Sequence, residues 1–242
     1  MGLQADADGR AQDTGYRARS AAAQPPIRLK TDVLAIDVDP IGGEVQRAEL
    51  LKFSDADNGA ANMLLFDEKA GHTYVAQTGL ASATLPNHRT PFTVEPGERE
   101  LAAGADTLVL KMSAEQGGAR LVRTYTLKRG SYAIDVATEV TNLGGEPLRP
   151  TLYMQITRDT HKPPGESQFY STYTGPVVYT DKDKFQKVDF SAIEKGKSEH
   201  SKDAADGWIG VIQHYFVSAW VPTEGAQRQF ETAKVDKDLY TV

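Results

Sequence analysis

The feature that most constrains this chain is an uncharged stretch, Gly207–Pro222 (GWIGVIQHYFVSAWVP), which holds both tryptophans within thirteen residues. An uncharged aromatic stretch of this kind demands burial. Its two β-branched and aromatic runs, Val211–Gln213 and Val217–Val221, are too short to cross a bilayer. They read as two core strands broken at Gln213-His214-Tyr215, so the rest of the chain has to supply a sheet around them.

The composition allows this. At 242 residues, 40% hydrophobic and 25% charged, the chain can bury a sizeable core as one large β domain or two small ones. A net charge of -6 and a pI near 5.4 argue against nucleic acid or an anionic membrane surface as the main partner. The absence of cysteine removes disulfides, thiolate metal sites and cysteine nucleophiles, and slightly favours an oxidising compartment. With no long apolar run and no signal-type core near the start, any membrane anchor is expected to lie outside this stretch.

Residues 1–26 have almost no branched apolar side chains to offset the entropy of ordering, and they read as a disordered tag or linker. From residue 27 onward the reading is a β domain running to residue 242. Ile27 to Val38 alternates as a strand with a buried face, Asp39-Pro40-Ile41-Gly42-Gly43 is a turn, and Val45–Leu51 returns as its partner. Met63–Phe66 and Thr73–Gln77 are short strands, and Pro86–Pro91 is a loop.

Thr107–Met112, Arg120–Leu127 and Tyr132–Val140 alternate most clearly. Their short glycine-rich connections predict an antiparallel meander, with no room for parallel crossovers. Thr151–Ile156 is a further strand, and Thr160–Gln168 is an exposed loop. The charged stretch 181–199 reads as a surface excursion, helical or irregular. Arg228–Val235 and Leu239–Val242 close the pattern, which ends within an apolar run as if truncated.

Few residues suggest chemistry. His72, His88, His161, His200 and His214 stand alone, without the i+2 or i+4 partner that would put two nitrogens on one metal, so no metal site is expected. Asp37/Asp39, Asp55/Asp57 and Asp181/Asp183 do not continue as calcium loops and read as solvated turns. The glycine pairs precede no helix pattern, which argues against phosphate cradling. No GxSxG elbow occurs, and Ser167 near His161 has no orienting carboxylate. Asp135 and Glu139 share a strand face as paired sugar-processing acids would, but they lie opposite Ile134, Val136 and Val140 and read as a solvent face. No cofactor is implied.

The tryptophan stretch resembles the segment W-[VI]-x-x-[LI]-Q-x-Y-F-x-[ST]-A-W-[IV]-P in the large periplasmic domain of YidC-type membrane protein insertases. Lys30–Val45 resembles the family's opening K-T-D-V-L-x-(I/L)-x-(V/I)-x-x-x-G-G-(E/D)-V. Thr126–Tyr132 is similar to its F-V-L-K-R-G-D-Y turn, with Ser131 in place of aspartate. The likeness runs in order from about Ile27 to Val235. It implies an all-β, mostly antiparallel β-supersandwich similar to galactose mutarotase-like domains, C-terminally incomplete relative to the family. It also implies a location on the periplasmic side of the bacterial inner membrane, and a parent that inserts and folds membrane proteins alone or with the Sec translocon.

On that resemblance, Trp208, Gln213, Tyr215, Phe216, Trp220 and Pro222 are motif residues of a core or a cleft, and Trp220 is expected to be buried more deeply than Trp208. The expected role is a non-catalytic interaction domain whose partners are Sec components, accessory membrane proteins and nascent membrane proteins. Two other readings remain open. One is a mutarotase-like enzyme, which needs a carboxylate base and a histidine acid. The other is a carbohydrate or peptide binder using exposed aromatic side chains.

Overall fold

The computed structural model describes residues 24–163 and 172–242, together with residues 4, 5, 11 and 12. Most of the expected linker, with Ser167 and part of the expected Thr160–Gln168 loop, therefore lies outside the described residues. Near the start of the chain, Gln4–Ala5 (β1) pairs antiparallel with Ala11–Gln12 (β2). The chain divides into two compact units, residues 1–68 with 75–154, and residues 69–74 with 155–242.

In the first unit, Ile27–Lys30 (β3) and Leu34–Val38 (β4) form a hairpin where a single strand was expected. Thr31 is the cause. Its Oγ1 accepts the N–H groups of Val33 and Leu34, and its own N–H donates to Leu34 O, so the backbone reverses locally. Then β4 pairs with Val45–Ser54 (β5), which pairs with Asn62–Lys69 (β6). His72–Leu80 (β7) enters this unit at Val75, and its Ala76 pairs with Val45. Thr107–Gln116 (β9), Ala119–Lys128 (β10) and Ile134–Asn142 (β11) form the meander the sequence predicts, and Thr93–Val94 (β8), which it does not predict, pairs antiparallel on β9.

Period 2 is plain in that meander. Leu108, Leu110, Met112 and Ala114 of β9 are buried together with Leu121, Arg123, Tyr125 and Leu127 of β10, while the residues between them are more exposed. Each buried leucine contributes roughly 1.5–3 kcal/mol to the core. The polar exception is Arg123, at 0% exposure. Its Nη1 donates to Gly42 O, its Nη2 donates to Thr78 O at 2.9 Å, and its guanidinium lies 5.1 Å from the Phe92 ring centre. Beside it the Tyr125 hydroxyl donates to Gly43 O.

The glycine pair of the family-like opening is therefore an acceptor pair, presented by a turn that only glycine forms easily. Gly42 and Gly43 hold φ of 77° and 64°. A Cβ on Gly42 would lie 2.0 Å from His88 O, and one on Gly43 would lie 2.8 Å from Arg123 Nη1.

The second unit is built on Thr174–Thr180 (β13), which follows Leu152–Arg158 (β12). Lys184–Lys187 (β14) pairs with β13, and Phe190–Glu194 forms the helix α1. Asp203–Ala204 (β15) precedes Trp208–Gln213 (β16) and Phe216–Trp220 (β17), after which come Arg228–Gln229 (β18), Ala233–Asp236 (β19) and Leu239–Thr241 (β20). The order β14-β13-β16-β17 makes a four-stranded antiparallel sheet, while β20 pairs with the end of β12. Five residues cannot hold a helix by propensity alone. α1 persists because Ile193 packs with Val188 and Tyr240, and it falls within the 181–199 excursion where helical or irregular structure was expected.

The ladders described above are antiparallel, and Lys30 forms an isolated parallel bridge with Glu100. The fold is all-β.

The Gly42 turn gives a test. Gly42→Ala should lower stability by about 2 kcal/mol or more, because a left-handed φ and a backbone clash coincide there. Gly59→Ala, with open space around its Cβ, should change it by no more than about 0.5 kcal/mol. Equilibrium urea midpoints of the two variants check this.

Candidate functional site

The hairpin β16–β17 has two faces, and their residues do different things. Its turn is His214-Tyr215, with Gln213 paired to Phe216 and His214 at a φ of 53°, a positive value of the kind that two-residue turns use to match strand twist. Strand alternation then places Gln213, Val211 and Ile209 with Phe216, Ser218 and Trp220 on one face. Ile212, Gly210 and Trp208 lie with Val217 and Ala219 on the other.

The first face closes over a buried polar network. Arg158 is only 2% exposed, and its guanidinium lies 4.7 Å from the ring centre of Tyr74. It donates through Nη1 to Gln213 Oε1 at 2.8 Å, through Nη2 to His161 O at 2.9 Å and through Nε to Asp159 O at 3.2 Å. Burial lowers the Arg158 pKa, opposed by the Tyr74 hydroxyl and the Asp159 carboxylate. The motif glutamine therefore has a structural occupation. Trp220, on the same face, donates its Nε1–H to Gln155 O at 2.9 Å.

Next to this network, Asp159 gathers four donor contacts. His72 Nδ1 lies 3.1 Å from Oδ1 and 2.9 Å from Oδ2, His161 N donates to Oδ1 at 2.9 Å, and Thr73 N donates to Oδ2 at 2.6 Å. Burial opposes ionisation of this carboxyl, but the bonds from His72, Thr73 and His161 outweigh it and hold its pKa below the usual range. The His72 and His161 rings lie 4.7 Å apart, centre to centre. A histidine and a carboxylate thus meet, as an acid–base pair requires. The carboxylate is held ionised and fully engaged as an acceptor, which suits a structural hydrogen-bonded anchor better than a general base.

The second face is apolar and open. Trp208 stacks on Tyr179, with ring centres 6.0 Å apart and planes 13° apart, and Phe185 meets it edge-on at 6.2 Å. Phe185 is 44% exposed, Val217 51% and, just beyond β17, Val221 71%. At the turn Tyr215 is 92% exposed.

This corrects the expectation of a wholly buried stretch. Tyr215 projects from a hairpin tip and is in neither a core nor a cleft, and Phe216, Pro222 and both tryptophans are half-buried. Trp208 and Trp220 both fall in the half-buried range, each on a sheet face with one side covered. An uncharged sequence does not distinguish a core from an apolar surface.

The remaining polar features are local. A recess of ≈ 410 Å³ is lined by Thr180, Asp183, Ser201, Lys202 and Asp206 among others. There Ser201 Oγ donates to Asp183 Oδ2 at 2.6 Å, while His200 bonds Ser201 O and Thr232 Oγ1, so no Ser-His-Asp relay assembles. Asp55 Oδ1 caps its own turn through the N–H groups of Asp57 and Asn58. Asp135 pairs with Lys128 at 2.6 Å on exposed strand surface. Among the described residues no three histidine, aspartate or glutamate side chains converge on a metal position.

Comparison with known proteins decides the family. The family model described as the YidC periplasmic domain matches residues 26–242. The chain belongs to the YidC periplasmic domain family. The protein named membrane protein insertase YidC from Janthinobacterium sp. (strain Marseille) is 47% identical over 216 residues, covering 89% of this chain and 38% of that protein. The protein of the same name from Bordetella pertussis is 45% identical over 224 residues, 91% of this chain and 39% of its own length. That of Cupriavidus necator is 44% identical over 239 residues, 98% and 42%.

The chain thus spans about two fifths of the curated relatives it matches. It is a domain of the periplasmic side of the inner membrane, and none of the helices among its described residues is long and apolar enough to cross that membrane. The family-like residues Gly42, Gly43 and Gln213 have in this domain the packing roles given above.

The Asp159 cluster yields a pH prediction. Because the folded pKa is depressed, the contribution of Asp159 to stability is fully present above the ordinary carboxyl value of 3.8 and is lost as pH falls through the lower folded value. The acid limb of a stability–pH curve should flatten in Asp159→Asn, which is expected to be less stable than the parent at pH 7. Urea midpoints between pH 2 and pH 7 measure both effects.

Proposed function

We propose that this domain is a non-catalytic interaction module of a membrane protein insertase. It contacts Sec translocon components, accessory membrane proteins or the periplasmic segments of nascent membrane proteins through the open face of the β16–β17 hairpin. The observation that carries this reading is the apolar row Tyr215, Val217 and Val221, continued by the Trp208, Tyr179 and Phe185 rings. Aromatic and branched apolar side chains on an accessible sheet surface are what contact sites are made of. The polar groups that might have done chemistry are engaged elsewhere: Asp159 with His72 and two backbone N–H groups, and Arg158 with Gln213 and two carbonyls.

Site-specific photo-crosslinking in the whole membrane-anchored protein tests this. A crosslinker at Val217 or Val221 should capture a Sec component or a nascent membrane protein, and one at Glu139, on the exposed face of β11, should not. Equal capture from both places, or none from Val217 and Val221, would contradict the proposal.

A further inference from the structure

The pairing of His72 with His161 is not used by the interaction role, and its geometry has a consequence of its own. The two residues are 89 positions apart in the chain, yet their ring centres are 4.7 Å apart and their planes are tilted by 46°. Both are anchored by one network. His72 Nδ1 lies against the Asp159 carboxylate at 2.9 Å, which fixes the Nδ1–H tautomer and leaves Nε2 with a free lone pair. The backbone at His161 is held from both sides, its N–H by Asp159 Oδ1 at 2.9 Å and its carbonyl by Arg158 Nη2 at 2.9 Å.

We propose that His72 and His161 form a two-imidazole binding site for a divalent metal ion of the Zn²⁺ and Cu²⁺ class, with water completing the coordination and Asp159 as the carboxylate that orients His72. Metal–nitrogen bonds are about 2.0–2.1 Å long, which puts each imidazole centre about 3.2 Å from the ion. At ligand angles between about 90° and 110°, two such centres are about 4.5–5.2 Å apart, and the observed 4.7 Å lies in that interval. A carboxylate on the far nitrogen of a liganding histidine is the usual means by which proteins set its tautomer and raise its basicity. Imidazole pairs favour borderline ions over Mg²⁺ or Ca²⁺, which take oxygen donors. The site is reachable, because the His161 side is exposed.

Calorimetric titration of the chain, free of any histidine tag, with Zn²⁺ at pH 7.5 is the test. One ion per chain is expected, with a dissociation constant on the order of 10 µM. His161→Ala, an exposed position whose loss leaves the fold intact, should weaken binding at least about tenfold, as should His72→Ala. Asp159→Asn should weaken it by about 10-fold to 100-fold through the lost orientation. At pH 5.5 binding should fall, because both imidazoles must be unprotonated to ligate. Binding that persists unchanged in His161→Ala, or no binding below about 1 mM in the parent chain, would overturn the assignment.

Discussion

A buried guanidinium carries five N–H donors that seek acceptors, and among the described residues Arg123 and Arg158 are buried against carbonyl and amide oxygens, with Arg123 Nε left unpartnered. That requirement fixes much of what surrounds them. In the first unit Arg123 needs the Gly42 carbonyl where a left-handed turn presents it, and Tyr125 needs that of Gly43. In the second unit Arg158 draws in Gln213 from the hairpin and the carbonyls of Asp159 and His161 from the segment after β12. Loss of any one partner would leave a buried charge underbonded, at a cost of several kcal/mol.

Such polar pins do what a layer of leucines cannot, since they specify orientation as well as burial. With Gln213 held inward on β16 by Arg158, strand alternation sends Val217 and Ala219 outward on β17, and Tyr215 is left at the tip. An apolar outer face is thus a consequence of how the inner face is satisfied. It is also why the hairpin suits the contact role proposed for it: the Gly207–Pro222 stretch has no charges to desolvate, and a four-stranded sheet supports it.

The strands with one buried face were legible in the sequence. Leu108, Leu110 and Met112 against Leu121, Arg123, Tyr125 and Leu127 announce the meander, because a period of two has one structural meaning when glycine-rich turns separate the runs. Three features were not legible. The hairpin between β3 and β4 depends on one threonine hydroxyl turning the backbone inside an otherwise regular alternation. The exposure of Tyr215 depends on tertiary packing that hydrophobicity does not encode. The meeting of His72, Asp159 and His161 joins residues 87 and 89 positions apart, and only the pairing of distant strands creates it.

The central claim is that a motif glutamine serves a buried arginine, and through it the orientation of the hairpin. A double-mutant cycle on Arg158→Met and Gln213→Leu, read by urea unfolding, tests it most directly. The account predicts that each single variant loses about 2–4 kcal/mol and that the double variant loses less than the sum by about 1 kcal/mol or more, because the second substitution removes a partner already orphaned. Additive losses, or an unchanged midpoint in Arg158→Met, would contradict it.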